Sequence, residues 1–396
     1  MDRLRIWFYR NIQSVNTSFK RYLHDEIKWD NRLIILVGAR GVGKTTLMLQ
    51  YMKDNLPIND ESIYISLDDI YFTTNSLINF VEEFSQNGGK HLFIDEVQKY
   101  KQWITEIKNI YDNYPNISIV ISGSSAIQLL TSEADLSRRA LYYTLNGLSF
   151  REYLNYNYNY QLDAIPLNTI TKNHLPLSLE LSSKIKPIKA FKEYLRLGYY
   201  PFFKEDPETY HKRLSHVINT VIEVDIPNVF SIELNAIYNI KKLLGIISEL
   251  VPFKPNVKKL SEQIGISRDT LVKYLQHLEK ANVINLLYSQ NKGISLLNKP
   301  EKIYLNNPNI SFALNNEVNI GNLRETFFLN QLISSHKVRY SGVGDFKVDD
   351  NYLFEIGGKN KSTKQIRDIP NSWVVADDIE ISIGNKIPLW LFGFTY

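Results

Sequence analysis

The strongest chemical pattern in this sequence is a run of eight consecutive residues. It reads Gly38-Ala39-Arg40-Gly41-Val42-Gly43-Lys44-Thr45 and fits the spacing G-x-x-x-x-G-K-[ST] at every fixed position. Glycines allow backbone N–H groups to wrap a phosphate, and the N-terminus of a following helix adds a positive dipole end. Lys44 is expected to reach the β- and γ-phosphates of ATP, and the Thr45 hydroxyl to ligate Mg²⁺. The alternative is a glycine-rich turn between strand and helix without a ligand.

A second pattern supplies the acids that such a phosphate site needs. The apolar run His91–Ile94 ends in the adjacent carboxylates Asp95 and Glu96. Asp95 is expected to hold Mg²⁺ through water, and Glu96 to polarise the attacking water. Taken alone, an acidic pair after a strand is more often a solvated strand end. Beside a complete phosphate loop it predicts a nucleotide-hydrolysing site, in which Thr46 completes the cofactor-binding residues.

Hydroxyls and arginines follow the next strand. One of Ser122, Ser124 and Ser125 is expected to sense the γ-phosphate or to orient water, with Ser122 the preferred candidate, although a plain serine-rich turn fits almost equally well. Arg138 and Arg139 lie further along. An arginine that reaches a γ-phosphate, its own or a neighbour's, accelerates phosphoryl transfer, whereas two solvated arginines are the alternative.

The elements around these residues alternate between strand and helix from Asn31 to about Ile121. Short β-branched runs predict the buried strands of a parallel sheet: Leu33–Val37, Ile63–Leu67, His91–Ile94 and Ile117–Ile121. The stretches between them predict crossover helices: Thr45–Lys53, Leu77–Ser85 and Trp103–Tyr111. Asp68 and Asp69 follow the second strand, at the edge where ligands of such sheets bind, and either suits a turn or a helix cap equally well.

Bulk composition narrows the class of protein. The 396 residues predict two or three domains, and 44% hydrophobic with 22% charged residues indicates a globular chain. The longest apolar runs are strand-sized and the N-terminal residues carry charges, so we expect neither a membrane span nor a signal peptide. The absence of cysteine excludes disulfides and thiolate metal sites and fits a cytoplasmic protein. A net charge of +4 does not by itself imply nucleic acid.

The chain from Leu260 to Ile284 follows the pattern of a helix-turn-helix. Gly265 separates two helical stretches, Ser267 caps the second, and leucines at helical spacing line one face. Strands predicted at Val283–Tyr288 and Gly293–Leu297 would form a wing. Nine lysines and arginines against four acids between residues 254 and 302 give a local charge of +5. DNA contact through Arg268, Lys273 and Lys280 is one interpretation, and a protein-packing module is the other.

Several stretches together resemble a large bacterial and archaeal family of AAA-type ATPases. That family couples an additional-strand ATPase domain to a winged helix and a C-terminal domain related to restriction nucleases. The similar stretches are Gly38–Thr45, Tyr64–Asp69, Phe93–Gln98, Ser122–Ser125, Leu136–Ala140, Leu148–Tyr153, Leu197–Pro201, Lys302–Leu305 and Phe354–Lys361. The resemblance implies ATP binding and places Arg139, rather than Arg138, at the family's arginine. Asn307 stands where the family often has an aspartate.

The C-terminal region offers Glu325 on a predicted helix, acids around Asp345, and Glu355 on a predicted strand. This is the arrangement in which restriction nucleases hold Mg²⁺. A working site usually reads Glu-x-Lys, whereas Gly357 stands in the lysine position here. We therefore expect a degenerate binding module rather than an active nuclease. The run Pro388–Phe394 predicts a final strand.

These observations predict an α/β protein with four parts: a P-loop AAA-type ATPase domain (1–150), a helical lid (151–252), a winged helix (253–302) and a nuclease-like domain (303–396). The favoured hypothesis is an ATPase whose nucleotide state controls the attached modules, with DNA, a protein partner or further copies of the chain as expected partners. The alternatives are an ATP-regulated DNA nuclease and a non-catalytic, nucleotide-gated binding module.

Overall fold

The computed structural model describes residues 2–123, 136, 138–230, 232–289, 299–315 and 317–396, and only the backbone of Asn228 and Val229. The chain divides into two compact units, Met1–Gly147 and Leu148–Tyr396. The first unit ends close to residue 150, where the sequence predicts a boundary. The finer division of the second unit stays a prediction.

A wholly parallel five-stranded sheet forms the centre of the first unit. Its strands are β1 (Leu33–Val37), β2 (Ser62–Ser66), β3 (His91–Asp95), β4 (Ser118–Ser122) and β5 (Leu141–Thr144). They lie in the order β2-β3-β4-β1-β5. Every residue of β1 is buried, as expected of a strand with neighbours on both sides. The predicted parallel sheet is therefore confirmed, and β1, β3 and β4 end side by side at one edge.

Among the described residues, the helices that accompany this sheet include α1 (Asp2–Ser14), α2 (Leu23–Glu26), α3 (Lys44–Asn55), α4 (Leu77–Gln86) and α5 (Trp103–Asn113). Their boundaries follow from local chemistry. The Ser76 side chain accepts a hydrogen bond from the backbone N–H of Asn79 and so begins α4. The same helix buries Leu77, Phe80 and Phe84 at helical spacing. The three predicted crossover helices correspond to α3, α4 and α5.

Strand β5 was not predicted from the sequence. It pairs with β1 only, at the edge of the sheet, and its four residues are half-buried or exposed. Because an edge strand needs no continuous apolar run, Leu141–Thr144 carries little hydrophobic signal. This strand nonetheless matters for the phosphate loop, because the residue that follows it, Leu145, lies against Gly38.

The second unit begins with six helices: α6 (Phe150–Tyr158), α7 (Leu167–Lys184), α8 (Pro187–Leu197), α9 (Tyr210–Thr220), α10 (Ile226–Phe230) and α11 (Leu234–Leu250). A capping box of Ser149 and Glu152 begins α6. Helix α8 ends at Leu197, directly before Gly198. Among all helices in the described part of the chain, none has the length and apolar character needed to cross a membrane.

Two further helices, α12 (Val257–Ile264) and α13 (Arg268–Lys280), are separated as the sequence predicts. Gly265 adopts a positive φ of 88° at the end of α12, and Ser267 caps α13. Strand β6 (Ile284–Leu287) follows and pairs antiparallel with β7 (Lys302–Leu305). The predicted wing strand Gly293–Leu297 lies outside the described residues. The predicted boundary after residue 302 falls within β7, which completes a hairpin with β6.

The C-terminal part contains α14 (Pro308–Leu314), α15 (Ile320–Leu332) and a mixed sheet of β8 (Val338–Tyr340), β9 (Phe346–Val348), β10 (Tyr352–Gly357), β11 (Ser372–Ala376) and β12 (Lys386–Pro388). The sheet order is β12-β11-β10-β9-β8. The predicted strand Pro388–Phe394 is wrong, since Leu389–Phe394 forms a 3-10 helix. All six of its residues are buried, and periodicity does not separate a buried strand from a buried helical turn.

Candidate functional site

The loop between β1 and α3 has the geometry that phosphate binding requires. Gly41 and Gly43 adopt φ values of 84° and 99°, which only glycine adopts without strain. A Cβ at Gly38 would stand 2.3 Å from the carbonyl oxygen of Leu145, so no larger residue fits there. Val42 is buried, while Ala39 and Arg40 are half-buried. The glycines predicted from the template are therefore required by this backbone.

Lys44 lies in the first turn of α3, and its ammonium group folds back across the loop. Nζ donates hydrogen bonds to the carbonyl oxygens of Gly38, at 2.9 Å, and Ala39, at 3.0 Å. The side chain is buried at 6% exposure, whereas Thr45 and Thr46 are exposed. The cation is thus held in place by its own loop, and its charge faces the space that the loop encloses.

Arg21 stabilises the phosphate loop through hydrogen bonds to backbone carbonyls, and this role was not predicted from the sequence. Its guanidinium donates to the carbonyl oxygen of Val42 at 2.6 Å. It also donates to the carbonyl oxygens of Asn146 and Gly147, at 2.7 and 2.9 Å. A lone arginine between short polar stretches carries no sequence signal for such a role, because the acceptors are backbone groups far away in the chain.

Asp95, at the end of β3, is the centre of the site. Its side chain is 2% exposed and accepts hydrogen bonds from the hydroxyls of Thr45 and Ser122. The Tyr64 hydroxyl and the backbone N–H of Glu96 also donate to it, each at 2.9 Å. The structure therefore brings together residues of α3, β2, β3 and β4 around one carboxylate.

The donor set suits a hard divalent cation. The predicted magnesium ligands, the Thr45 hydroxyl and the Asp95 carboxylate, are hydrogen-bonded to each other at the open edge of the loop. Mg²⁺ prefers oxygen ligands and is usually held by one or two protein side chains together with substrate phosphates and water. Within the described residues there is no cluster of three or more His, Cys, Asp or Glu that would hold a metal without a substrate. The residues fit a magnesium ion that arrives with its nucleotide.

Tyr64 is a second residue that sequence reasoning missed. It lies in the middle of β2, 2% exposed, and donates to the Asp95 oxygen that Thr45 also contacts. Burial, followed by the charge of Asp95 and the hydrogen bond to it, raises the pKa of Tyr64 far above its ordinary value. The hydroxyl therefore remains a donor. In the sequence, Tyr64 is one apolar-looking residue within a strand.

Glu96 has an unusual backbone conformation. Its φ of 53° lies in the left-handed region, which a residue with a side chain adopts at a cost of about 1 kcal/mol. The change of direction follows directly after β3, so the chain turns sharply between Asp95 and Glu96. The Gln98 side chain donates a hydrogen bond of 2.6 Å to the Glu96 carboxylate. Gln98 was not among the predicted site residues, although it ends one of the stretches that carry the family resemblance.

Two further predicted residues lie in less direct positions. Ser122 is fully buried at the end of β4 and donates to Asp95, so in this structure it supports the carboxylate. Its predicted action on the γ-phosphate or on water stays a prediction, and Ser124 and Ser125 lie outside the described residues. Arg139 donates to both carboxylate oxygens of Asp112 at 3.0 Å, while Arg138 is exposed.

Three acids singled out in the C-terminal region, Glu325, Asp345 and Glu355, form ion pairs with lysines. The ammonium group of Lys302 lies 2.9 Å from a carboxylate oxygen of Glu325 and 3.4 Å from one of Asp345. The Tyr304 hydroxyl donates to the same Glu325 oxygen at 2.8 Å. Burial lowers the pKa of Lys302, but the two carboxylates outweigh it and the net shift is upward. A fixed cation therefore occupies the space between two predicted metal ligands.

Glu355 is 3% exposed, and one of its oxygens pairs with Lys361. The stem of Lys361 runs over Gly357, where a Cβ would stand 2.7 Å from it. A lysine therefore lies beside Glu355 although glycine stands at position 357, because residue 361 supplies it. Burial raises the pKa of Glu355, and the charges of nearby acids add to that shift against the effect of Lys361.

A family of known proteins matches most of the first unit. Residues 30–154 match the model of an AAA domain, and residues 188–320 match a domain of unknown function. The first match covers the phosphate loop, Asp95, Glu96 and all five strands of the sheet. Residues 30–154 are therefore similar to an AAA domain, and the parallel sheet with its glycine-rich loop supports a P-loop fold for them.

Two archaeal proteins are similar along most of the chain. The uncharacterized protein MJ1637 of Methanocaldococcus jannaschii is 28% identical over 380 residues, which cover 87% of this chain and 79% of that protein. The uncharacterized protein MJ1544 of the same organism is 25% identical over 361 residues, covering 85% and 74%. Similarity across both units indicates that the two units occur together in these relatives.

Similar solved structures include AMPPCP-bound DnaA from Aquifex aeolicus, at 14% identity and a TM-score of 0.27, covering 70% of this chain and 88% of that one. A katanin structure has 13% identity and a TM-score of 0.25, and covers 37% of this chain. The match spans about half, 54%, of the katanin chain. With TM-scores this low, the fold assignment rests on the sheet topology and the match to the AAA domain.

Proposed function

From the premise that residues 30–154 are similar to an AAA domain, we propose that this protein binds ATP with Mg²⁺ and hydrolyses it to ADP and phosphate. One observation carries the proposal: Thr45 of the loop and Asp95 of β3 meet directly, although they are fifty residues apart. A glycine-rich turn without a ligand has no need to bring a hydroxyl and a buried carboxylate together at its mouth.

Lys44 and the loop backbone are proposed to bind the phosphates. The ammonium group already lies within the loop, where two carbonyl oxygens hold it. A β- or γ-phosphate entering the loop would offer charged acceptors to the same cation, and charge-assisted bonds are stronger than those to carbonyls. The N-terminus of α3 adds its dipole.

Thr45 and Asp95 are proposed to hold the magnesium ion, which neutralises charge on the β- and γ-phosphates when bound. Thr45 would contribute its hydroxyl oxygen, and Asp95 a carboxylate fixed by its neighbours. Because Ser122, Tyr64 and the Glu96 backbone already orient that carboxylate, little rearrangement is needed when the nucleotide arrives.

Glu96 is proposed to act as the base that orients and polarises the attacking water. Its backbone adopts the left-handed conformation directly after Asp95, and we propose different tasks for these two adjacent acids. The Gln98 amide restrains the carboxylate. A restrained base loses less conformational freedom on reaching the transition state.

We further propose that the nucleotide state controls the second unit, in which α12, α13 and the β6–β7 hairpin act as a winged helix. Gly265 ends α12, Ser267 caps the start of α13, and Leu271, Leu275 and Leu278 belong to the buried face of α13. The residues that we propose to meet phosphates are all exposed: Lys258, Lys259, Arg268, Lys273 and Lys280. This exposure supports DNA as the partner of α13.

The mixed C-terminal sheet is proposed to act as a nuclease-like binding module that does not cut DNA. Lys302 lies between Glu325 and Asp345, where a catalytic metal would need those oxygens. The second candidate function, ATP-regulated DNA cleavage, is favoured by one observation, the pairing of Lys361 with Glu355. Nicking of a supercoiled plasmid with Mg²⁺, lost in Glu355→Ala, would favour that second function.

The proposed activity is tested by magnesium-dependent phosphate release from ATP. We expect turnover by the unaltered protein, no ATP binding by Lys44→Ala, and ATP binding without turnover by Glu96→Gln. The matched controls are Lys101→Ala and Glu82→Gln, at exposed positions of the same unit. ATP binding without any turnover in the unaltered protein would instead support a non-catalytic, nucleotide-gated module.

A further inference from the structure

Helix α1 lies along β2 and covers Tyr64. The indole of Trp7 stacks on the Tyr64 ring, with centroids 5.9 Å apart and planes inclined by 21°. Leu4, Phe8 and Ile12 form the buried face of the helix. Trp7 itself is 43% exposed, so it lies between solvent and a tyrosine that is 2% exposed. The Trp7 indole therefore shields from solvent a tyrosine that belongs to the proposed magnesium site.

Ion pairs hold α1 on either side of this stack. Arg5 lies 2.7 Å from Asp60, which precedes β2. Arg3 pairs with Asp69, which follows β2 and also caps the next turn by accepting from the backbone N–H of Tyr71 at 2.8 Å. The helix thus contacts the chain before, within and after β2. A displacement of α1 would disturb Tyr64 more directly than any other residue around Asp95.

We propose that Tyr64 is a positioning residue for the magnesium site and that α1 controls it through Trp7. The Tyr64 hydroxyl and the Thr45 hydroxyl share one oxygen of Asp95, while Ser122 and the Glu96 backbone share the other. Tyr64 is the member of this set whose ring is in contact with α1. Removing its hydroxyl frees one side of the carboxylate to rotate, and the magnesium ligand loses its fixed orientation.

This inference rests on the proposed ATP hydrolysis and makes a distinct prediction about it. The Tyr64 hydroxyl contacts the two predicted magnesium ligands, Asp95 and Thr45. Loss of its hydroxyl should therefore weaken the response to Mg²⁺ while leaving magnesium-free ATP binding intact. Since a hydrogen bond to a charged group is involved, we expect the magnesium concentration for half-maximal hydrolysis to rise roughly tenfold. The maximal rate at saturating Mg²⁺ should fall much less.

The experiment is a magnesium titration of phosphate release at fixed ATP, with ATP binding in EDTA measured in parallel. Tyr64→Phe keeps the buried ring and its stack on Trp7, so the fold is retained. Tyr143→Phe is the matched control. Tyr143 lies on the edge strand β5, and its hydroxyl accepts a hydrogen bond from the backbone N–H of Lys28. On α1, Trp7→Ala should shift the titration in the same direction as Tyr64→Phe, whereas the exposed neighbour Ile6→Ala should not.

A spectroscopic readout separates positioning from mere structural support. The fluorescence difference between the unaltered protein and Trp7→Phe isolates the Trp7 signal, which should change on adding Mg²⁺ to the ATP complex and stay unchanged in the Tyr64→Phe background. An unshifted magnesium titration in Tyr64→Phe, with normal hydrolysis by the unaltered protein, overturns this inference and leaves the proposed function intact. Failure of the unaltered protein to bind magnesium nucleotide refutes both.

Discussion

The amide of Gln98 donates a 2.6 Å hydrogen bond to the carboxylate of Glu96, so the proposed base is held by a residue only two positions further along the chain. This bond and the left-handed backbone of Glu96 together restrict where the carboxylate points. A residue with a side chain persists in that conformation where the surrounding contacts hold it there. The pair is therefore a direct target for separating binding from turnover.

Gln98→Ala should lower the rate of ATP hydrolysis about tenfold, as expected for the loss of one hydrogen bond to a charged group. ATP affinity should stay unchanged, because the hydrogen bond from Gln98 is made to the proposed base Glu96, whereas the proposed phosphate ligands are Lys44 and the loop backbone. Gln98→Glu should reduce turnover further, since it places a second carboxylate beside Glu96. Steady-state hydrolysis and calorimetric ATP binding check both variants. Unaltered turnover in Gln98→Glu would remove Gln98 from the mechanism.

Arg21→Ala should destabilise the first unit by about 3 kcal/mol and abolish nucleotide binding. The variant loses hydrogen bonds to three backbone carbonyls and leaves these acceptors unpaired inside the protein. Urea denaturation, followed with and without ATP, measures both effects. Arg10→Ala, at an exposed position of α1, is the control. Wild-type ATP affinity in Arg21→Ala would mean that the loop keeps its shape without this support.

Arg139 is predicted to act on the γ-phosphate, most directly that of a neighbouring copy. If so, hydrolysis per molecule rises with protein concentration, and Arg139→Ala loses that rise while Arg138→Ala keeps it. Asp112→Ala should not abolish turnover, because it removes only the carboxylate that now pairs with Arg139. Rates measured over a hundredfold concentration range test this. Normal hydrolysis by Arg139→Ala at every concentration excludes the role.

DNA binding, if it occurs through α12 and α13, should be electrostatic and weaken steeply with salt, because lysines and arginines would meet phosphates. Reversing the charge of Lys258, Lys259, Arg268 and Lys273 should abolish binding, while Glu355→Ala should leave it unchanged. Fluorescence anisotropy between 50 and 200 mM salt, conditions in which such complexes lose much of their affinity, provides the measurement. Salt-independent binding, or none at low salt, indicates a protein-packing role instead.

Glu279 predicts a dependence of stability on pH in the second unit. Burial raises the pKa of Glu279 to about 7, against a hydrogen bond from the Leu286 backbone that lowers it. The folded state then keeps a proton that the unfolded state releases, so stability is full below the ordinary pKa and falls as pH rises through about 7. Glu279→Gln should remove this loss, which is on the order of 3 kcal/mol.

The measurement is the difference in unfolding free energy between Glu279→Gln and the unaltered protein at several pH values. Taking the difference cancels the contribution of His277, whose pKa is lowered by burial to about 4 and which would make stability rise with pH. The unfolding free energy of Glu279→Gln, relative to that of the unaltered protein, should rise between pH 5 and 8. A constant difference across that range contradicts the predicted titration.

The sequence predicts the parts of the site that local spacing encodes. The phosphate loop, β1, β3 and the acids at the end of β3 follow from a short template and from apolar runs. Arg21, Tyr64 and Gln98 were missed because their roles depend on side-chain contacts that no spacing rule describes. Arg21 reaches backbone carbonyls 125 residues away, and a backbone acceptor leaves no signature in residue type.

The differences in the second unit have the same origin. The nuclease template places a lysine two residues after Glu355, at position 357, where this sequence has glycine. The ammonium comes instead from Lys361, whose stem lies over the glycine, which is a property of packing and not of spacing. Likewise, the run Leu389–Phe394 has the composition of a strand, and its burial in a helical turn depends on contacts such as that of Gly393 with Phe150.

Strand β7 has a consequence for where this chain can be cut. Its backbone completes the hairpin with β6, while its side chains at Lys302 and Tyr304 bond to Glu325 of α15. A cut between residues 302 and 303 would leave β6 with an unpaired edge and Glu325 without the cation that pairs with it. We therefore expect a fragment that holds both the helix pair and the C-terminal sheet to fold, and fragments divided at that position to fail.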